Sequence, residues 1–285
     1  MLAEVEQLLL ETIGLDPAAI GRPAIQRAVE RRCEQCALPG AADYVRRVRH
    51  SQRELQALIE TVVVPETWFF RDPAAFEALA RYVREEWLAA HPQGVLRLLS
   101  AGCSTGEEPY SMAMALLESG VPAARFTIDA LDISTHALAV ARHAVYGKNS
   151  FRSEDLGFRA LHMLEATLGH ELKPAPRARV HFRAGNLLDT ELLAARTPYG
   201  VIFCRNLLIY LDRASQQRVV GSLTAALEAG GLLFVGPSES GLLAGQELIY
   251  TRWRRSFAFR KAAANPGSGV STARARDVAA ERSRA

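Results

Sequence analysis

Cysteine is scarce in this chain: Cys33, Cys36, Cys103 and Cys204 are the only four among 285 residues. Thiols this few and this scattered make no disulfide framework and suit a reducing compartment. Cys33 and Cys36 have the spacing of half a metal site. No second Cys or His pair accompanies them, and the seven histidines show no ligand spacing, so no metal is expected. Long apolar runs are missing too; none reaches the ~18–20 residues that a membrane span needs, so no membrane insertion is expected. The opening Met1–Gln7 carries acids where a secretory signal carries basic residues, which points to the cytoplasm. Net charge is only +3, too little for a whole-molecule field that would draw nucleic acid. No internal repeat is visible.

What is present changes in texture along the chain. Residues 1–74 read as short helices: Ala24, Ile25, Ala28 and Val29 recur at helical spacing, as do Leu55, Leu58, Ile59 and Val62. Pro17, Pro23, Pro39-Gly40 and Pro65 punctuate them. Between Arg22 and Arg53, eight arginines face three acids, an excess of five positive charges. Such a run is either a solvated helix face or a docking face for an acidic partner helix, with Arg46, Arg47 and Arg49 as its candidate contacts. Residues 75–92 read as a linker helix. From 93 to 262 strand candidates alternate with helices, beginning at Val95-Leu-Arg-Leu-Leu99 and ending at Ser256-Phe-Ala-Phe259. That alternation predicts an α/β fold, a doubly wound, mostly parallel sheet covered by helices, which binds ligands at its strands' carboxyl ends. Residues 263–285, rich in Ala, Gly, Ser and Arg, read as a disordered tail.

The loop after the first strand supplies Gly102 and Gly106, which let the backbone turn sharply and approach a ligand. It lacks the three glycines of a dinucleotide site. Asp132, ending the second strand, is suited to accept both hydroxyls of a ribose; the plainer reading is a turn or cap residue before Ile133-Ser-Thr135. Loop and acid together favour an adenosyl ligand without pyrophosphate, S-adenosylmethionine rather than a nicotinamide cofactor.

Five strings then stand in fixed order: Pro65-Glu-Thr-Trp-Phe-Phe-Arg-Asp72, Ser100-Ala-Gly-Cys-Ser-Thr-Gly-Glu-Glu-Pro-Tyr-Ser111, Gly185-Asn-Leu-Leu188, Ile202-Phe-Cys-Arg-Asn-Leu-Leu-Ile-Tyr210 and Gly236-Pro-Ser-Glu239. In this order and spacing the chain resembles the CheR family of chemoreceptor glutamate methyltransferases, nearly to Arg260. Ile13-Gly-Leu-Asp16 and Val62-Val-Val-Pro-Glu-Thr-Trp-Phe-Phe-Arg71 look like its WspC branch, which serves a surface-sensing signalling system and often carries a helical repeat region after the catalytic domain. The resemblance implies a helical N-terminal domain, a Rossmann-like S-adenosylmethionine methyltransferase domain with a seven-stranded sheet ending in an antiparallel strand, and a small antiparallel β subdomain within about 146–183. It implies that Thr67 and Arg71 meet the cofactor's methionine end, Arg71 also lying close to the transferred methyl, and that Glu108 lies near the amino group. Asp132 would hold the ribose, Asn186 and Leu187 would meet the adenine, Cys204 and Arg205 would close that wall, and Tyr210 would reach the substrate glutamate. Pro65 stands where other members often carry a polar residue. The implied partner is the cytoplasmic domain of a methyl-accepting chemoreceptor-like protein, the products a glutamate methyl ester and S-adenosylhomocysteine.

Some members hold the receptor's C-terminal peptide on the small subdomain through a glycine-containing loop. The stretch Met163–Pro176 has one glycine, no Gly-x-Gly turn, and prolines at Pro174 and Pro176 that lack amide donors, so independence from such a tether is expected. The Trp68-Phe69-Phe70 cluster is expected to pack between domains rather than stack a base. Two rivals are an adenosylmethionine enzyme of another substrate class and a non-enzymatic adenosylmethionine sensor. The first is disfavoured for amino-methylating nucleic-acid enzymes because Cys204-Arg-Asn-Leu207 stands where they place an Asn-Pro-Pro-Tyr-like loop.

Overall fold

A computed structural model describes residues 2–63, 65–153, 155–194, 197–243, 247–251 and 253–262. The expectation of a disordered tail over 263–285 lies outside these described residues.

The chain opens with helices α1 (Leu2–Ile13), α2 (Pro17–Ile20), α3 (Arg22–Gln35), α4 (Ala41–His50) and α5 (Gln52–Val62). Their boundaries follow local chemistry. Asp16 caps α2 by accepting from the Ala18 amide, and Ser51 caps α5 by accepting from the Glu54 amide at 3.2 Å. Their apolar stripes meet in one core around Leu9, Ile25, Tyr44 and Leu58, all fully buried. Cys33 belongs to this core, while the Cys36 thiol donates to Glu54 at 3.3 Å.

Next, α6 (Pro73–Tyr82) runs through a π-helical turn (Val83–Trp87) into α7 (Leu88–Ala90). Strands β1 (Leu96–Ala101), β2 (Phe126–Asp132), β6 (Val180–Ala184), β7 (Tyr199–Cys204), β8 (Leu227–Val235), β9 (Leu248–Tyr250) and β10 (Ala258–Lys261) form one sheet, in the order β6-β2-β1-β7-β8-β10-β9. β6, β2, β1, β7 and β8 run parallel, and β10 pairs antiparallel with β8 and β9. This is the expected seven-stranded sheet with its last strand in the chain reversed. β7 is buried at every position, as a central strand covered on both faces must be. Helices α8 (Glu107–Glu118), α9 (Thr135–His143), α12 (Glu191–Ala194) and α13 (Arg213–Ala226) connect the strands. Because β1, β2 and β7 are parallel neighbours, their carboxyl ends at Ala101, Asp132 and Cys204 come together.

A second, antiparallel sheet joins β3 (Val145–Tyr146), β4 (Met163–Ala166) and β5 (Gly169–Leu172) in the order β3-β5-β4, with the short helix α10 (Phe158–His162) before β4. Phe69 and Phe70 tie it to the linker: Phe69 packs on Tyr146, Phe151 and Phe158, and Phe70 on Phe76 and Phe158. One step of the tether argument needs correcting. Pro174 and Pro176 fall in α11 (Pro174–Arg177), not on a strand, so they deny no amide to an added strand. The free edge β4 leaves Leu164 exposed, with Leu168 exposed in the turn that follows. The glycine of that hairpin is used internally: a Cβ on Gly169 would come within 2.2 Å of the Tyr146 carbonyl oxygen.

Candidate active site

The carboxyl ends of β1, β2 and β7 open into a cavity of about 260 Å³. It is roofed by the N-terminal helices: Ile13, Leu15, Ile20 and Glu60 line it together with Gly102, Asp132 and Tyr210. Thr67, Arg71, Gly102, Glu108, Asp132, Asn186, Leu187, Arg205 and Tyr210 all line it, so the fold gathers nine of the ten cofactor-site and catalytic candidates. Cys204 is the exception. It ends β7 with its thiol in the core beside Leu99, Leu131 and Ile202, and burial holds that thiol well above its ordinary pKa. Arg46, Arg47 and Arg49 lie apart, on α4.

Asp132 sits at the crossing of the two helix-bearing loops. Its carboxylate accepts from the Ser104 amide at 2.7 Å and the Ser134 amide at 2.8 Å. Burial pushes its pKa up, and those amides only partly offset it. The turn reading of Asp132 is therefore also true: the same acid organises Ser134, the cap of α9, and faces the cavity. Glu60 completes this corner from the other half of the molecule. It accepts from the Thr135 amide at 2.7 Å, the Thr135 hydroxyl at 2.9 Å and the Ser134 hydroxyl. Gln56 donates to the Ile133 carbonyl at 2.9 Å, and Asn186 to the Thr12 carbonyl at 2.7 Å.

The opposite end sets two arginines, Arg71 and Arg205, among the acids Asp72 and Glu108. Arg205 is buried, with only 2% of its side chain exposed; it donates to the Arg71 carbonyl at 3.0 Å, to the Asp72 carboxylate, and to Glu108 at 3.5 Å. Burial raises the Glu108 pKa, opposed by Arg205 and by the Ser100 hydroxyl, which donates at 2.8 Å. Arg71 lies 4.4 Å over the Trp68 ring and donates to the Glu66 carbonyl at 2.8 Å. Trp68 lines the cavity while Phe69 and Phe70 pack away from it, so the aromatic cluster divides its work.

The wall suits a ligand with one charged and one flat apolar end. Ser104 and Arg205 each keep a buried polar atom, Oγ and Nε, without a partner among the described residues. Leu187, Leu188, Leu207 and Leu211 make the far wall apolar. Gly102 has φ +81°, and a Cβ there would meet Leu207 at 3.0 Å, so only glycine makes this turn cleanly. Sequence reading missed Ser104 and Glu60. Ser104 lay inside a quoted string, but nothing local marked Glu60, which apart from Gln56 one turn back has partners 74 to 76 residues away.

A parallel sheet with a glycine-bearing loop after β1 and an acid at the end of β2 defines a Rossmann-like S-adenosylmethionine-binding methyltransferase domain. The family profile described as the CheR methyltransferase, SAM binding domain matches residues 65–250. The chain belongs to the CheR methyltransferase family, in its WspC-like branch. It is 46% identical over 261 residues to the probable biofilm formation methyltransferase WspC of Pseudomonas aeruginosa, covering 92% of this chain and 62% of that one. It is 34% identical to chemotaxis protein methyltransferase 2 of Vibrio cholerae, covering 75% of this chain and 76% of that one. Identity to the chemotaxis protein methyltransferase of Escherichia coli is 31%, over 83% of this chain and 82% of that one. The chain spans only 60–62% of the length of its WspC relatives. Among the described residues, no helix is long and apolar enough to cross a membrane.

Proposed function

We propose that this protein methylates glutamate side chains in the cytoplasmic domain of a methyl-accepting chemoreceptor-like protein, acting in the cytoplasm. The observation that carries the reading is the layout of the cavity in a CheR-family chain: Asp132 at one end, and Arg71, Arg205 and Glu108 at the other. A glutamate, with reference pKa ~4.3, arrives as a carboxylate and needs no base. When bound, S-adenosylmethionine supplies an activated methyl; as the carboxylate oxygen gains the carbon, the carbon–sulfur bond breaks, leaving an ester and S-adenosylhomocysteine. The chain's contribution is alignment and exclusion of water. Arg71 holds the reacting groups with its planar guanidinium, Tyr210 meets the incoming glutamate, and Asp132 fixes the ribose. Asn186 and Leu187 hold the adenine, and Thr67 and Glu108 the methionine end.

The receptor helix docks on the arginine-bearing helices, independently of a C-terminal receptor peptide. The absence of a Gly-x-Gly turn from Met163–Pro176 supports that independence. The test is transfer of labelled methyl from the cofactor to receptor cytoplasmic fragments, with base-labile release identifying an ester. Base-stable label would overturn the assignment. Loss of methylation on deleting the receptor's C-terminal residues would hand recognition to the exposed β4 edge.

A further inference from the structure

Glu239 is a buried acid for which the chemistry above has no use. It lies in the short helical segment Pro237–Leu243 after β8 and is fully buried. Its carboxylate accepts from four backbone amides: Gly236 at 2.6 Å, Asn206 and Leu208 at 2.8 Å each, and Ile209 at 3.4 Å. Among the described residues no cation pairs with it within 4 Å. Three of the four donors belong to one loop, where Asn206 at φ +57° turns successive N–H groups inward, forming an anion nest filled by the protein's own side chain. Gly236 is required beside it, because a Cβ there would stand 2.7 Å from the Glu239 Oε2.

The residues flanking this nest are Arg205 and Tyr210, and both line the cavity. We propose that Glu239 is a positioning residue for methyl transfer: its carboxylate fixes the loop that sets Arg205 and Tyr210 at the reacting end. The inference rests on the proposed reading of that end. In Glu239→Gln, an NH2 group replaces one acceptor and faces amide donors, so the loop must shift although side-chain volume is kept. Small displacements of this kind cost up to ~100-fold in rate.

The experiment measures kcat, receptor KM and S-adenosylhomocysteine Kd for wild type, Glu239→Gln and Gly236→Ala, with a crystal structure of each variant. Gly236→Ala displaces the carboxylate without removing its charge and covers the case in which Glu239→Gln does not fold. The expected result is kcat lowered about tenfold or more, by a larger factor than Kd rises, with Arg205 and Tyr210 displaced. Normal turnover with only a lower melting temperature would overturn the proposal, as would unmoved Arg205 and Tyr210. A wild type that methylates no receptor glutamate sinks the functional reading alone; the displacement of Arg205 and Tyr210 still decides the role of Glu239.

Discussion

Arg205 donates to the main-chain carbonyl of Arg71 at 3.0 Å, across 134 residues of sequence. The same guanidinium holds Asp72, a non-glycine residue at φ +59° that starts α6. The main chain of the candidate reacting arginine is therefore tied to the end of the central strand β7, while its side chain is held by its neighbours Glu66 and Trp68. A left-handed turn at Phe70 and Asp72 is unfavourable alone and persists because Arg205 and the aromatic packing hold it.

Arg71→Lys is expected to lose most methyl transfer, because an ammonium cannot reproduce the planar fork. Tyr210→Phe should lower turnover with cofactor affinity nearly intact. Steady-state kinetics beside calorimetric titration separate the two effects. Normal turnover in Tyr210→Phe removes that hydroxyl from the reaction.

Asp132→Ala should weaken cofactor binding at least tenfold, since hydrogen bonds to a charged group are worth ~1.5–3 kcal/mol each. It also strands the Ser104 and Ser134 amides, so the melting temperature should fall as well. Unchanged affinity in a folded variant would take Asp132 out of the ribose site.

Glu60→Ala tests the joint between the two halves. Losing an acid that caps α9 should cost ~1–2 kcal/mol of stability. Because Glu60 borders the cavity beside Asp132, cofactor affinity should drop in parallel. A variant that melts earlier yet binds the cofactor normally would show that this joint is structural only.

Reversing Arg46, Arg47 and Arg49 to Glu should raise the receptor KM far more than it changes cofactor binding. The wild-type KM should rise with salt, as exposed charges are screened over ~8–10 Å. The fold makes this face weaker than its sequence suggested. Glu4, Glu6 and Glu54 join Asp43 in pairing with its arginines, lowering the local excess from five to two. Arg46–Asp43 and Arg49–Glu4 are the exposed pairs, each worth only ~0–1 kcal/mol, so partner acids can displace them. Among the described residues, Arg27, Arg31 and Arg53 have no acid within 4 Å. An unchanged receptor KM rejects the docking face.

Glu54 makes the helical domain acid-sensitive. Burial pushes its pKa up, but hydrogen bonds from Arg32, Cys36 and Tyr44 outweigh this and hold it below its ordinary value. Its contribution is thus fully present above the unfolded value of ~4.3 and is lost as pH falls through the lower folded one. Glu54→Gln should cost about 3 kcal/mol at neutral pH, because Arg32 loses a largely buried partner. It should also flatten the acid limb of a stability-versus-pH curve. An unaltered limb would place acid sensitivity elsewhere.

The sequence alone determined the class of fold, and the family resemblance it carries named nine residues of the cavity wall. Apolar β-branched runs such as Val201-Ile-Phe203 suit central strands, and a parallel sheet brings the residues following its strands to one edge. Gly102 and Asp132 were legible for that reason, and Asn186 only through the family resemblance. What side chains do beyond their own loop was decided by tertiary structure. Cys204 turned from wall to core because strand alternation and a closed packing cluster point it inward. Glu60 was silent in sequence, and Glu239, though inside a family string, showed no role there, because a carboxylate acquires one only when distant backbone amides converge on it. The arginine face could be counted residue by residue, yet its net charge waited on which acids the helix packing carried across to it.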